Sequence, residues 1–196
     1  MQKKLFNERK FVNALLYFAK HTNPDQLGST KLNKLLYHAD FLHFKRYGRP
    51  ITGDRYVKMP YGPVPSTAYA VVTDASKKGL AGEMGKTILD GKIRIRTVKV
   101  ADKSQSRIEA LIDPDLSVFS DSELEVLAEV AKQYKNRSAT RLSKDSHSPD
   151  APWSKTQDFQ TIEYELSLDA SKDSLSKEYI AEWKQEADEL REILSA

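Results

Sequence analysis

Apolar residues recur at helical spacing along much of this chain and switch to other patterns in only a few stretches. Phe11, Leu15 and Phe18 repeat between Asn7, a side chain suited to cap a helix, and the breaker "TNPDQLGST", so a first helix is predicted from Asn7 to about His21. "KLNKLLYHADFLHFKRYG" is predicted to be the second helix, capped by Thr30 and stopped at Gly48. It carries two stripes: Leu32, Leu35, Leu36, Ala39 and Leu42 on one face, and Tyr37, Phe41 and Phe44 on nearly the opposite one. A helix apolar on two sides belongs at the centre of a fold, and burial is expected for both stripes. Exposure of the aromatic stripe would instead make it a partner surface, because aromatics anchor interfaces.

The segment from Tyr47 to Ser66, "YGRPITGDRYVKMPYGPVPS", breaks the pattern with four prolines and three glycines. Proline fixes φ and pushes the residue before it toward extended geometry, here Arg49, Met59, Gly62 and Val64. The result is a stiff path with a short strand predicted at Arg55 to Met59, followed by a third helix from about Pro65 to Lys78. "KTILDGKIRIRTVKV" reads as a hairpin turning at Asp90-Gly91, with Lys92, Arg94 and Arg96 on one face and Ile93 and Ile95 on the other. The apolar parity changes at Val98 and Val100, which predicts a bulge near Thr97, and "SRIEALI" is read as a third strand. Ser120 with Glu123 forms a capping box opening a helix to about Lys135. Ser138 opens a shorter one that ends near "SHSPDAPW", and "TQDFQTIEYELSL" is expected to be extended. The last helix, from about Ser176, aligns Tyr179, Trp183, Ala187, Leu190 and Leu194 on one side. The sum is α+β: a mostly helical single domain of about six helices with a small antiparallel sheet.

Composition narrows the function classes. At 196 residues with 39% hydrophobic positions and a mean hydropathy of -0.59, the chain fits one folded, highly soluble domain rather than a disordered one. No apolar run approaches membrane-spanning length, and the polar and charged residues from Asn7 to Lys10 interrupt any leader-like core, so the cytoplasm is expected. With no cysteine, disulfides, thiolate zinc sites and cysteine nucleophiles drop out together. The net charge of +3 is divided unevenly: Glu163 to Glu192 holds ten acidic residues against four basic ones, so this part carries -6 and the remainder +9. Such a field steers a charged partner, although a solvated helix face produces the same count.

Candidate chemistry is sparse. Neither GxxxxGK[ST] nor GxGxxG occurs, and "GLAGEMGKT" lacks the spacing to cradle phosphates. His43 stands one turn from Asp40 and Tyr47, where an Asp-His hydrogen bond is geometrically open, but a structural contact is the expected use. His147 lies between Asp145 and Asp150 near several serines, without GxSxG or HExxH. No catalytic, cofactor or metal site is predicted. A nucleic-acid reading draws on Arg46, Arg49, Arg55 and Lys58 among Tyr47, Tyr56 and Tyr61, with the basic hairpin added. It lacks a helix-turn-helix signature, and a solvated sheet face explains the same charges. The stiff segment favours protein recognition, since Arg49, Arg55, Tyr56, Met59 and Tyr61 lose little freedom on binding; its alternative use is to pin the second helix to the third.

"KLNKLLYHAD" at Lys31 to Asp40, "GRPI" at Gly48 to Ile51 and "YGPVP" at Tyr61 to Pro65, followed by "FSDSELEVLAEV", "SATRLSKDSH" and "APW" at Ala151 to Trp153, resemble in order and spacing the Panacea domain, an antitoxin domain also called phage-associated GepA-like or SocA-like. The resemblance covers about residues 10 to 166. It implies a Panacea-like domain over 1–166, with an acidic amphipathic helix within 167–196 packed on or extending it. It further implies a non-enzymatic antitoxin that binds a cognate protein toxin from a neighbouring gene, by sequestration or as an adaptor to a protease, with no cofactor and no membrane partner. Partner-binding residues expected on this reading are Tyr37, Phe41 and Phe44 if exposed, and otherwise Arg49, Arg55, Tyr56, Met59 and Tyr61. Asp40, Gly62, Pro63, His147 and Trp153 are expected to serve the fold, the last two by ordering the loop between two helices.

Overall fold

The computed structural model describes residues 6–81, 88–100 and 103–195. Among them are six helices and two antiparallel two-stranded sheets, so the α+β expectation holds. Helix α1 (Glu8–His21) starts as predicted, the Asn7 side chain accepting the Lys10 N–H at 3.0 Å. Helix α2 (Ser29–Tyr47) begins earlier than the predicted Thr30 cap, at Gly28, with no capping side chain. The approach is set instead by pairing: the Ile108 N–H donates to the Leu27 carbonyl at 2.9 Å, which fixes the chain just ahead of the helix. α2 ends at Gly48 in the left-handed region, φ 73°, its N–H closing on the Phe44 carbonyl at 2.8 Å.

Both predicted stripes of α2 are buried but for the half-buried Leu42, and the helix touches α1, α3, α4 and α5. Strand β1 (Tyr56–Met59) pairs with β2 (Gly62–Pro65) in the register Tyr56↔Pro65 to Met59↔Gly62. No strand is predicted over β2, whose two prolines argue against a ladder. The register removes the conflict: Ser66 donates to the Arg55 carbonyl at 2.8 Å, so with period two the even positions face β1 and Pro63 and Pro65 turn their missing donors outward. Helix α3 (Ser66–Ala81) follows, its first turn held by the Asp54 carboxylate, which accepts the Thr67 and Ala68 N–H groups at 3.0 and 2.7 Å.

Strands β3 (Ile93–Val100) and β4 (Lys103–Ala110) form the second ribbon, so the predicted hairpin needs correcting. Asp90 and Gly91 lie in a turn before β3 rather than between paired strands, and Lys86 and Thr87 lie outside the described residues. The register runs unbroken from Ile93↔Ala110 to Val100↔Lys103, with no bulge at Thr97. Thr97, Lys99, Ser104 and Gln105 are all exposed, so no core face exists there to enforce parity.

Helix α4 (Asp121–Tyr134) carries the predicted capping box, and Lys10 ties α1 to it through Glu123 at 2.6 and 2.8 Å. Helix α5 (Ala139–Ser146) starts on the Ser138 side chain. The stretch expected to be extended makes one bridge, Val57↔Thr161, and then a 3-10 turn over Tyr164–Ser167 that carries the Tyr164 ring against Phe41 and Phe44. Helix α6 (Lys177–Ser195) closes the chain. No helix among the described residues is long and apolar enough to cross a membrane.

Candidate partner-binding site

The β1–β2 turn is an exposed tip on an immobilised backbone. Tyr61 is 85% exposed, and Met59 is 37% exposed. Their carbonyls are both taken: the buried Lys34 ammonium donates to Tyr61 O at 2.8 Å, and the Trp153 indole N–H donates to Met59 O at 3.1 Å. The Ser143 hydroxyl adds a longer bond to Tyr61 O at 3.3 Å. Trp153 is itself fixed, stacked on His147 at 3.7 Å and 14°, with the Lys58 ammonium 4.3 Å from its ring centroid. Gly62 makes the arrangement possible. Its φ of 112° suits no L side chain, and a Cβ there would stand 2.2 Å from Lys34 Nζ.

A third exposed apolar residue joins the tip. The Phe159 N–H donates to the Lys58 carbonyl at 2.9 Å, placing this residue, 65% exposed and at φ 64°, along the edge of β1 opposite β2. A left-handed conformation is unusual for a bulky residue and marks strain of the kind found at functional positions. Sequence reasoning missed Phe159, because a lone aromatic between Asp158 and Gln160 belongs to no stripe. It also missed Lys34, for which a signal existed: Lys34 precedes Tyr37 by one turn on the aromatic stripe.

Beneath the tip lies a buried polar and aromatic layer. Tyr37, Phe41, Phe44 and Tyr56 are 2, 4, 5 and 1% exposed, so none of them can meet a partner: Tyr37 and Phe41 pack against the Tyr56 ring of β1, and Phe44 packs with Leu168 and Ile180. Phe41 lies 4.4 Å from Tyr37, 5.4 Å from Tyr56 and 4.6 Å from Tyr164 between ring centroids. Asp40, fully buried, accepts the Thr52 N–H at 2.7 Å, the Thr52 hydroxyl, the Tyr56 hydroxyl at 2.9 Å and, more distantly, the Tyr164 hydroxyl at 3.4 Å. Burial pushes its carboxyl up to about 6, against the pull of the Thr52 bonds. His43 does not bond Asp40. Its Nδ1 donates to the Arg49 carbonyl at 2.6 Å and its Nε2 faces the Ser122 hydroxyl at 3.1 Å.

The predicted residues are therefore sorted by position. Met59 and Tyr61 share the tip; Arg55 is exposed at the hairpin's base, and Arg49 is exposed in the loop before it. Gly62, Pro63, His147 and Trp153 surround the clamp, and Asp40 ties α2 to the loop that feeds β1. A cleft of about 520 Å³ opens between α2, α4 and α5 beside Tyr37 and His38. Burial holds His38 down at about 4, so it is neutral at physiological pH, stacked on Tyr134 at 4.7 Å. No group of three or more His, Cys, Asp or Glu with metal-holding geometry occurs among the described residues.

Lys34 links the clamp to stability. Burial lowers its ammonium from the usual lysine range to about 8, so the folded protein releases this proton more readily than the unfolded chain. Its charge therefore costs stability at neutral pH, a cost relieved as pH rises from about 8 toward about 10.4. Lys34→Met is expected to melt at the same temperature as the parent or higher, by up to about 3 kcal/mol in stability, while amide exchange at the tip accelerates. A marked fall in melting temperature would show that the ammonium is a net stabiliser.

The family model described as Antitoxin SocA-like, Panacea domain matches residues 32–154, which include Lys34, the hairpin and Trp153. Comparison with curated proteins and with solved structures yields no match. With well over half of its length matched, including every residue that clamps the tip, the chain belongs to the SocA-like antitoxin family of Panacea domains.

Proposed function

We propose that this chain is the antitoxin of a toxin–antitoxin pair and neutralises a protein toxin by binding it directly through the β1–β2 tip. One observation carries the reading: exposed Met59 and Tyr61 stand on a backbone fixed by Lys34 and Trp153, within the span that matches an antitoxin family. A preformed aromatic tip enters a partner's pocket with little conformational entropy left to lose, which is how aromatic anchors gain affinity. The buried lysine fits this purpose. A charge that lowers stability while fixing a surface loop is the pattern expected where stability yields to function.

Growth of a host expressing the open reading frame adjacent to this gene tests the reading. Co-expression of this chain is expected to restore growth with the neighbour's protein level unchanged, as sequestration requires. A harmless neighbour, or growth that stays arrested, overturns it; rescue accompanied by loss of the neighbour's protein points to delivery to a protease.

A further inference from the structure

α6 is anchored at its N-terminal end and leaves the rest of its apolar side uncovered. Ile180, 3% exposed, packs with Phe44 and Leu168, and the Leu175 N–H donates to the Lys45 carbonyl at 2.9 Å. Gly48 permits this approach, since a Cβ there would lie 3.0 Å from Ile180 Cδ1. Yet Tyr179, Trp183, Leu190 and Ile193 are 55, 48, 59 and 71% exposed. At helical spacing Tyr179, Trp183 and Leu190 form one stripe, with Ile193 beside it across Glu186, a larger exposure than the scattered apolar residues normal for a protein surface.

The edges of that stripe differ in charge. On the edge nearest Ile180, Lys184 pairs with Glu165 of the body. Along the other run Glu182, Glu186 and Glu189, all exposed, and neither Glu182 nor Glu186 has an ion-pair partner among the described residues. This acidic edge selects the occupant. A second α6 laid antiparallel on the stripe would bring two acidic edges together, which like charge opposes. An anionic lipid surface repels them as well. What complements the stripe is an apolar groove with a basic rim on another protein.

We propose that α6 is a second docking element, which inserts its Tyr179–Trp183–Leu190–Ile193 stripe into a basic-rimmed apolar groove on the toxin. This rests on the antitoxin reading above and deepens it by naming the partner's surface chemistry. α6 lies beyond the family-matched span, which ends at residue 154. Joined to the tip through the folded body, it adds avidity to the first contact.

The test titrates the purified product of the adjacent open reading frame into the full chain and three variants, at about 50 and about 300 mM salt. Trp183→Ala with Leu190→Ala is expected to weaken binding by roughly 100-fold. Glu182→Lys with Glu186→Lys and Glu189→Lys is expected to slow association about tenfold and flatten its salt dependence. Tyr61→Ala weakens binding but keeps that salt dependence. The altered side chains are exposed, and circular dichroism verifies that each variant is folded. If both α6 variants bind like the parent while Tyr61→Ala does not, the α6 proposal falls and the antitoxin reading stands. If the parent chain does not bind at all, the antitoxin reading falls and takes α6 with it. A dimer of the chain alone that Trp183→Ala dissociates assigns the stripe to self-association and overturns the proposal.

Discussion

Tyr61→Ala is expected to weaken binding of the proposed toxin partner by roughly 100-fold, about 2–4 kcal/mol, and to leave the melting temperature where it was. The separation follows from which atoms do which work. The clamp holds the Tyr61 carbonyl, bonded to Lys34 at 2.8 Å, whereas the side chain is 85% exposed. Truncation at Cβ removes the ring and keeps the clamp, so the loop stays in place with its anchor gone. Calorimetric titration against the toxin, paired with thermal melting, reads both halves. Unchanged affinity would remove the tip from the interface; a lower melting temperature would mean that the ring contributes to the fold.

The second large effect is on the fold. Asp40→Ala is expected to destabilise the protein by about 3–5 kcal/mol, because it leaves the Thr52 N–H and the Tyr56 hydroxyl buried without an acceptor. These donors lie on the loop that leads into β1 and on β1 itself, so the hairpin loses its attachment to α2. Chemical denaturation measures the loss, and a change under about 1 kcal/mol would show that the layer rearranges around the gap. The same carboxyl has a pH signature. Its folded-state value of about 6 lies above that of an unfolded aspartate, so between the two the folded protein holds the proton more tightly. Its contribution to stability is largest below about pH 4 and is lost as pH rises through 6, by up to about 3 kcal/mol. Asp40→Asn is expected to abolish that slope relative to the parent.

Both predictions depend on a division that the linear pattern only half revealed. The two stripes of α2 announced a central helix, and residues such as Leu35 and Phe41 behave as their spacing demands, because helical periodicity maps directly onto faces. The capping box at Ser120 and Glu123 was equally legible, since its partners lie three residues apart. The failures occur where the partner is distant in sequence. Trp153 and Met59 are 94 positions apart, and no local rule connects an indole to a carbonyl that far away. Lys34 reads locally as a solvated charge; its burial depends on Gly62 leaving room for its ammonium.

Most helix positions, the capping and stopping residues other than at the start of α2, and the stiffness of the proline-rich segment follow from neighbours within a few residues, where propensity and sterics act without help from the rest of the chain. The aromatic residues show where that reach ends. Tyr37, Phe41, Phe44, Tyr56, Tyr61 and Phe159 are alike in composition, yet four are buried and two stand in solvent. Which side each took was decided by long-range packing: the 3-10 turn at Tyr164 covers Phe41 and Phe44, and Trp153 and Lys34 hold the β1–β2 turn open. Burial is a property of the assembled surface, formed only when segments far apart in the chain exclude water from the same place.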